Sequence, residues 1–254
     1  MEPALIKPSF TPEIIASIGG FPITNSFLVT IVVSLIIIVA SLFLRRSLRQ
    51  RQIGRWQNLL EIVVEKLLEL VDSVTGDREL SKRFFPLVAT IFIFVILINW
   101  VEIIPGLGTI GVEQVHHGEK ILAPFIRSAS ADLNLTLAIA LIAVATAQFM
   151  GITALGFKKY LGKFLVSPLK KPYLVGTFVG LLEIISEFAK VLSFSFRLFG
   201  NIFAGEVLLT VVLMLVPFIL PLPFLFLEIF VGFVQALVFA MLTLVFMKMA
   251  TESH

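Results

Sequence analysis

Five apolar runs, each 18 residues or longer, constrain this chain more than any other feature of its sequence. About 20 such residues span the roughly 30 Å hydrocarbon core of a bilayer, and inside that core only a helix or a closed barrel satisfies its own backbone. The runs are helical in length and are rich in Leu, Ile, Val and Phe. Composition agrees: 58% of the 254 residues are hydrophobic, 15% are charged, and the mean hydropathy is +1.02. A soluble domain carries about 25% charged residues, so an ordinary cytosolic globule and a disordered chain are both excluded. There is no cysteine, which removes disulfides, thiolate metal ligands and a Cys nucleophile. The net charge of +3 comes from basic residues that flank apolar runs, so it reads as topology and not as nucleic-acid binding.

The predicted architecture is an all-α polytopic membrane protein of about five membrane helices and one amphipathic helix. Residues 1–26 read as an extramembrane tail without the pattern of a signal peptide, and 27–254 as a single membrane domain. Span one is 27–44, followed by Arg45, Arg46, Arg49, Arg51 and Arg55. Residues 56–75 alternate apolar and charged faces at helical spacing, suiting either the membrane surface or a partner protein. Gly76 suits their C-terminal stop. Span two is 84–104, stopped by Pro105-Gly106, with 106–131 expected as a polar loop. Span three is 133–157, followed by a loop carrying Lys158, Lys159, Lys163, Lys170 and Lys171. The basic loops after spans one and three belong in the cytoplasm or matrix by the positive-inside rule, which puts the N-terminus outside and the C-terminus inside.

The fourth run, 173–215, has 43 residues. A straight helix of that length is about 65 Å long, so it either tilts strongly or breaks. Pro217, Pro221 and Pro223 predict a turn, and 224–249 a last helix that folds back to complete a long tilted hairpin.

This hairpin holds the chemistry. Glu183, Glu187, Lys190, Phe194, Arg197 and Asn201 are spaced four and three apart, a stripe along one helix, with Ser186 and Ser193 beside it and Glu206 beyond. Glu228 and Gln235 form a second stripe on the last helix, with Gly232 between them. Folding back at the prolines lets the two faces meet, with Glu206 and Glu228 on the turn side of Arg197. Ionisable groups inside a membrane cost at least about 2.5–3.5 kcal/mol each at a helix centre, so they mark function. Arg197 is the focal one: it cannot discharge, and no acid lies at i±3 or i±4. Its carboxylate partner comes either from elsewhere in the chain, as bundle glue, or from another protein. Asn134 and Gln148 share a face of span three, as helix glue or as a water path. Glu102, at the outer end of span two, reads as a boundary residue. His116, His117 and Glu119 read as a solvated loop and not a metal site, and no phosphate loop or dinucleotide fingerprint is present, so no cofactor is expected.

The run Ser193-Phe-Ser-Phe-Arg197-Leu-Phe-Gly-Asn-Ile-Phe-Ala-Gly-Glu206 resembles the signature of subunit a of F-type ATP synthases. Gln235-Ala-Leu-Val-Phe-Ala-Met-Leu-Thr, Ala131-Asp-Leu-Asn-Leu-Thr136, and Asn99 with Pro105-Gly106 are similar to the same family, over about residues 80–250. Val191 stands where many members have proline. The resemblance implies a proton-conducting stator subunit, not an enzyme by itself, in a bacterial plasma membrane or an organelle inner membrane. Its partners would be a c-subunit ring and b-type peripheral stalk subunits. Arg197 would face the ring carboxylates between two offset half-channels. Asn201, Glu206, Glu228 and Gln235 would line the outer path or support the arginine, Glu183 and Ser193 would serve the inner one, and Lys190, Asn134 and Gln148 would support. A stand-alone channel or transporter using the same stripes, and a non-conducting membrane scaffold, are the competing readings. Arg197→Lys separates the scaffold from the rest. Lysine can lose its charge and lacks the planar fork, so ATP-driven proton pumping by the assembled complex is expected to be lost, whereas a scaffold would tolerate the change.

Overall fold

The computed structural model describes residues 11–47, 55–104, 110–116, 119–164, 175–216 and 219–252. Seven helices run along them: α1 (Asn25–Ser47), α2 (Arg55–Thr75), α3 (Arg78–Trp100), α4 (Leu133–Leu155), α5 (Phe157–Phe164), α6 (Val175–Leu215) and α7 (Pro221–Thr251). Five of them, α1, α3, α4, α6 and α7, are long and apolar enough to cross a membrane. The fold is that of an all-α polytopic membrane protein.

The centre is a bundle of α3, α4 and α7, with α6 laid along α4 and α7. Small residues make the close approach possible. Ala140, Ala143, Ala147 and Gly151 recur at three- and four-residue steps on α4 and are buried. With little side chain between them, neighbouring helices gain dispersion contact that lipid cannot match. Phe84, Val95 and Ile98 of α3, Leu198 of α6, and Leu244 and Met247 of α7 fill the remaining core. Polar clips fix the register. Asn99 donates from Nδ2 to the Gly232 carbonyl at 3.0 Å and accepts at Oδ1 from Ser130 at 2.6 Å. Trp100 Nε1 donates to the Ile229 carbonyl at 3.1 Å, and the Thr136 and Ser195 hydroxyls meet at 3.0 Å. A Cβ on Gly232 would approach Asn99 within 3.2 Å, so this glycine lets α3 and α7 touch.

Helix ends follow capping chemistry and move several expected boundaries. Asp77 caps α3 by accepting from the Glu79 N–H at 2.8 Å, so the helix starts six residues before the expected Phe84, its first turns carrying charges. Gly76, at φ +70°, closes α2. The C-terminal end of α2 docks on the bundle: Val71 is buried, and Lys248 Nζ donates to the Val74 carbonyl at 2.9 Å. Pro221 and Pro223 lie inside the first turn of α7, where no intrahelical donor is needed, and not in a preceding turn. Pro217 falls outside the described residues. α6 is one helix of 41 residues, unbroken through Val191.

Two hairpins replace expected tail and loop. Strands β1 (Ile14–Ile18) and β2 (Phe21–Thr24) pair antiparallel, joined by Gly19 and Gly20 at φ +59° and +85°. β3 (Gly111–His116) pairs with β4 (Glu119–Pro124), in register from Gly111↔Pro124 to His116↔Glu119. Both tie to the start of α1: the Asn25 N–H donates to the Glu13 carbonyl at 3.0 Å, and its Nδ2 to the Pro124 carbonyl at 3.4 Å. The basic segment after α4 is likewise not all loop, since it begins with α5; Lys170 and Lys171 lie outside the described residues.

α5 docks through Tyr160, which is buried and donates its hydroxyl to Gln148 Oε1 of α4. A Cβ on Gly151 would run into the Tyr160 ring and the Ala250 carbonyl. Gly151→Leu is therefore expected to overpack this junction by about 1–3 kcal/mol, read as a lower melting temperature of the detergent-purified complex. Burial, reinforced by Glu187 and Glu183, raises the Tyr160 phenol from 10.0 to about 12. The folded state thus holds this proton more tightly than the unfolded chain. That contribution is whole below pH 10 and is lost as pH rises through about 12. In a phenolate absorbance titration, the increment missing from Tyr160→Phe should appear near pH 12.

Candidate functional site

α6 presents two unlike faces. Val191, Phe194, Leu198 and Ile202 are buried against the bundle, while Phe188, Leu192 and Phe196 are exposed together with Arg197 and Asn201. The predicted stripe therefore does not keep one environment. Its 3.5-residue step drifts against the 3.6-residue helix, and the structure divides it into two ends with Arg197 between them.

Arg197 stands on the open face. Its Nη2 lies 3.5 Å from Ser193 Oγ one turn earlier, and among the described residues it forms no ion pair. Its backbone is held instead, because Gln235 Nε2 of α7 donates to the Arg197 carbonyl at 2.9 Å. The two helices thus meet at Arg197 and Gln235, as the hairpin reading requires. Pairing of Arg197 with Glu228, the in-chain alternative, does not occur.

Toward the turn, Glu206 has a cation of its own. Arg127, in the segment before α4, places Nε 2.8 Å from Glu206 Oε1 and Nη2 2.9 Å from Oε2, with 4% and 14% of the two side chains exposed. Arg127 Nη1 also donates to the Thr11 carbonyl at 3.4 Å. Glu228 of α7 lies against Gly205, whose missing side chain makes room: a Cβ there would come within 3.0 Å of Glu228 Oε1. Glu228 is 7% exposed, and its Oε2 is buried without a hydrogen-bond partner. Asn201, Gly205, Leu208, Leu227 and Glu228 line a cavity of about 310 Å³. Glu102 is no simple boundary residue. Its Oε2 accepts from the Ser128 N–H at 3.1 Å, and it interacts electrostatically with Glu206, Glu228 and Arg127. The sequence reading placed Arg127 within the polar loop expected over 106–131 and gave it no role. The available signal was a single arginine between Phe125-Ile126 and Ser128-Ala129, an apolar and small setting unlike that of a solvated loop.

At the other end, Gln148, Tyr160, Glu183, Ser186, Glu187 and Lys190 line a polar cavity of about 130 Å³. Lys190 Nζ pairs with Glu187 Oε1 at 2.6 Å and lies 4.9 Å from the Phe246 ring centroid. Gln148 is thus brought into the site, whereas Asn134, fourteen residues earlier on α4, is exposed near the helix start. Its backbone N–H donates to the Asp132 cap at 2.9 Å. Ser193 lies exposed between this cavity and Arg197. Among the described residues no group of three or more His, Asp or Glu is placed to hold a metal ion. His116 belongs to β3 and Glu119 to β4, while His117 lies outside the described residues.

The site is a polar cavity at Glu187 and Lys190 and a mostly apolar one bordered by Asn201 and Glu228, on one helix hairpin with an exposed arginine between them. Comparison with known proteins points to one family. The family model described as ATP synthase A chain matches residues 27–248. A Campylobacter jejuni protein named ATP synthase subunit a is 36% identical over 225 residues, 87% of this chain and 89% of that protein. One of the same name from Legionella pneumophila is 32% identical, covering 94% of this chain and 91% of its own length. One from Moorella thermoacetica is 28% identical, with 96% and 98% covered. On the strength of that match and those relatives, this chain belongs to the ATP synthase A chain family.

Proposed function

We propose that this chain is the proton-conducting stator subunit of a rotary F-type ATP synthase, with Arg197 facing the carboxylates of a rotating c-subunit ring. The observation that carries the reading is an arginine exposed on an apolar helix face that, among the described residues, has no acid beside it. A guanidinium keeps its charge at any working pH. Left against lipid it costs at least about 2.5–3.5 kcal/mol, so the face calls for a carboxylate brought by a partner. A stand-alone channel or transporter would bury this cation against its own Glu206 or Glu228; one of these is clamped elsewhere and the other lies in the cavity beyond.

The chemistry follows from two opposed influences on a ring carboxylate. Burial against lipid favours its protonated form, and a fixed cation close by favours the ionised form by about 1–3 pKa units. A carboxylate passing Arg197 gives up its proton, and one that moves past reloads before entering lipid. Arg197 also bars protons from crossing directly between the two cavities. The outer path runs by Asn201, Glu228 and Gln235, with Glu206 and Glu102 beside it. The inner path runs by Glu183 and Ser193, supported by Lys190 and Gln148; Asn134 has no evident part. Gln235 contributes by fixing the Arg197 backbone. The basic residues at the end of α1 and in α5 support an N-terminus outside and a C-terminus inside, in the cytoplasm if the membrane is a bacterial inner membrane. The c-ring and b-type stalk subunits are the protein partners, and the chain is not an enzyme apart from the complex.

In inverted vesicles bearing the assembled complex, Arg197→Ala is expected to abolish ATP-driven acidification while assembly persists. Wild-type pumping by that variant would sink the assignment.

A further inference from the structure

Two glutamates stand at the turn side of Arg197 in opposite circumstances: Glu228 lines the outer cavity, whereas Glu206 is paired with Arg127 beside it, and nothing in the resemblance distinguishes their duties. Glu206 meets Arg127 through a two-point contact, Nε to Oε1 at 2.8 Å and Nη2 to Oε2 at 2.9 Å. This fork matches a carboxylate and offers nothing to a carboxylic acid proton, because arginine only donates. Nε and Nη2 both donate to Oε2, at 3.1 and 2.9 Å, while Oε1 lies within ion-pairing distance of Nε. Glu228, across the helix interface, meets no such cation among the described residues. Its Oε2 is buried and unpartnered, and its carboxyl borders the cavity that Asn201 and Gly205 also line. A buried carboxyl oxygen left open in this way suits a group that binds and releases a proton. The charged groups converging here are Glu102 after α3, Arg127 before α4, Glu206 on α6 and Glu228 on α7.

We propose that Arg127 is a positioning residue that fixes Glu206 as a permanent carboxylate, leaving Glu228 as the acid that exchanges protons in the outer path. Glu228 accepts one proton from the outer water to become the neutral acid. It then passes that proton to a ring carboxylate and returns to its ionised form, while Glu206 keeps its charge throughout. The Arg127–Glu206 pair closes the wall of the path and supplies a fixed field. This inference rests on the proton-path reading above.

The test uses inverted vesicles carrying the complete complex, with assembly checked in each variant and ATP-driven acidification as the readout. Arg127→Gln and Glu206→Gln each leave a buried charge uncompensated and should lower pumping at least about tenfold. The double variant Arg127→Gln/Glu206→Gln removes both charges together and should recover pumping to within about threefold of wild type. The exchanged pair Arg127→Glu/Glu206→Arg provides a second rescue. Glu228→Gln should stop pumping in the wild-type and the double-variant background alike. If both assembled rescue variants pump no better than Glu206→Gln, Glu206 itself exchanges the proton and the proposal is overturned. Normal pumping by assembled Glu228→Gln would overturn it equally. The parent reading fails separately, through an Arg197→Ala complex that still pumps.

Discussion

The structure depends on the cost of a charge that has nowhere to go. Arginine stays ionised at any pH a cell meets, so each arginine within the bundle must be answered by an acid or left to something outside it. Both solutions occur here. Arg127 is buried and met by Glu206 from a helix 79 positions away. Arg197 is exposed and carries only a weak contact to Ser193. A fold evolved only for stability would neutralise both or replace both with apolar residues, since buried ion pairs are weak stabilisers by themselves. Among the described residues the structure keeps one arginine answered and the other unanswered, which is what the proposed ring partner requires.

The remaining architecture holds that unanswered cation steady. Gln235 grips the Arg197 carbonyl, and the buried row of Phe194, Leu198 and Ile202 presses the opposite side of α6 into the bundle. Phe194 packs on Phe239 and Phe246 with ring centroids 5.0 Å apart in each case. The α7 partner of α6 is fixed in turn by Asn99 and Trp100, which donate to the carbonyls of Gly232 and Ile229. In a membrane, where apolar side chains gain little by leaving lipid for protein, such hydrogen bonds and small-residue contacts set helix register.

The features legible in the sequence were those governed by local chemistry. Lipid demands long apolar helices, so all five spans could be read. Proline and the spacing of Arg197, Gln235 and Glu228 foretold a hairpin whose faces meet. Features created by distant contacts were not legible. Arg127 could not be matched to Glu206 because nothing local links a pre-helical arginine to a residue on α6. The start of α3 was misjudged because Arg78 to Arg83 look too polar for a span, whereas a capped helix extends beyond the hydrocarbon at little cost. The β1–β2 hairpin carried a usable sign in Gly19-Gly20, the pair favoured where both turn residues need positive φ. The proline-rich composition around it hid the strands. α5 was obscured by its lysines, although the buried Tyr160 anchors it.

The continuity of α6 has a geometric consequence. From Lys190 to Glu206 is 16 residues, about 24 Å along a rigid axis, and a 41-residue helix about 62 Å long cannot stand upright in a core about 30 Å thick. Its slope converts separation in depth into separation sideways, so the two cavities are offset along the membrane as well as across it. In the rotary reading proposed above, the hand of that slope pairs inward proton flow with one sense of turning, and a mirror-image incline would drive the opposite one.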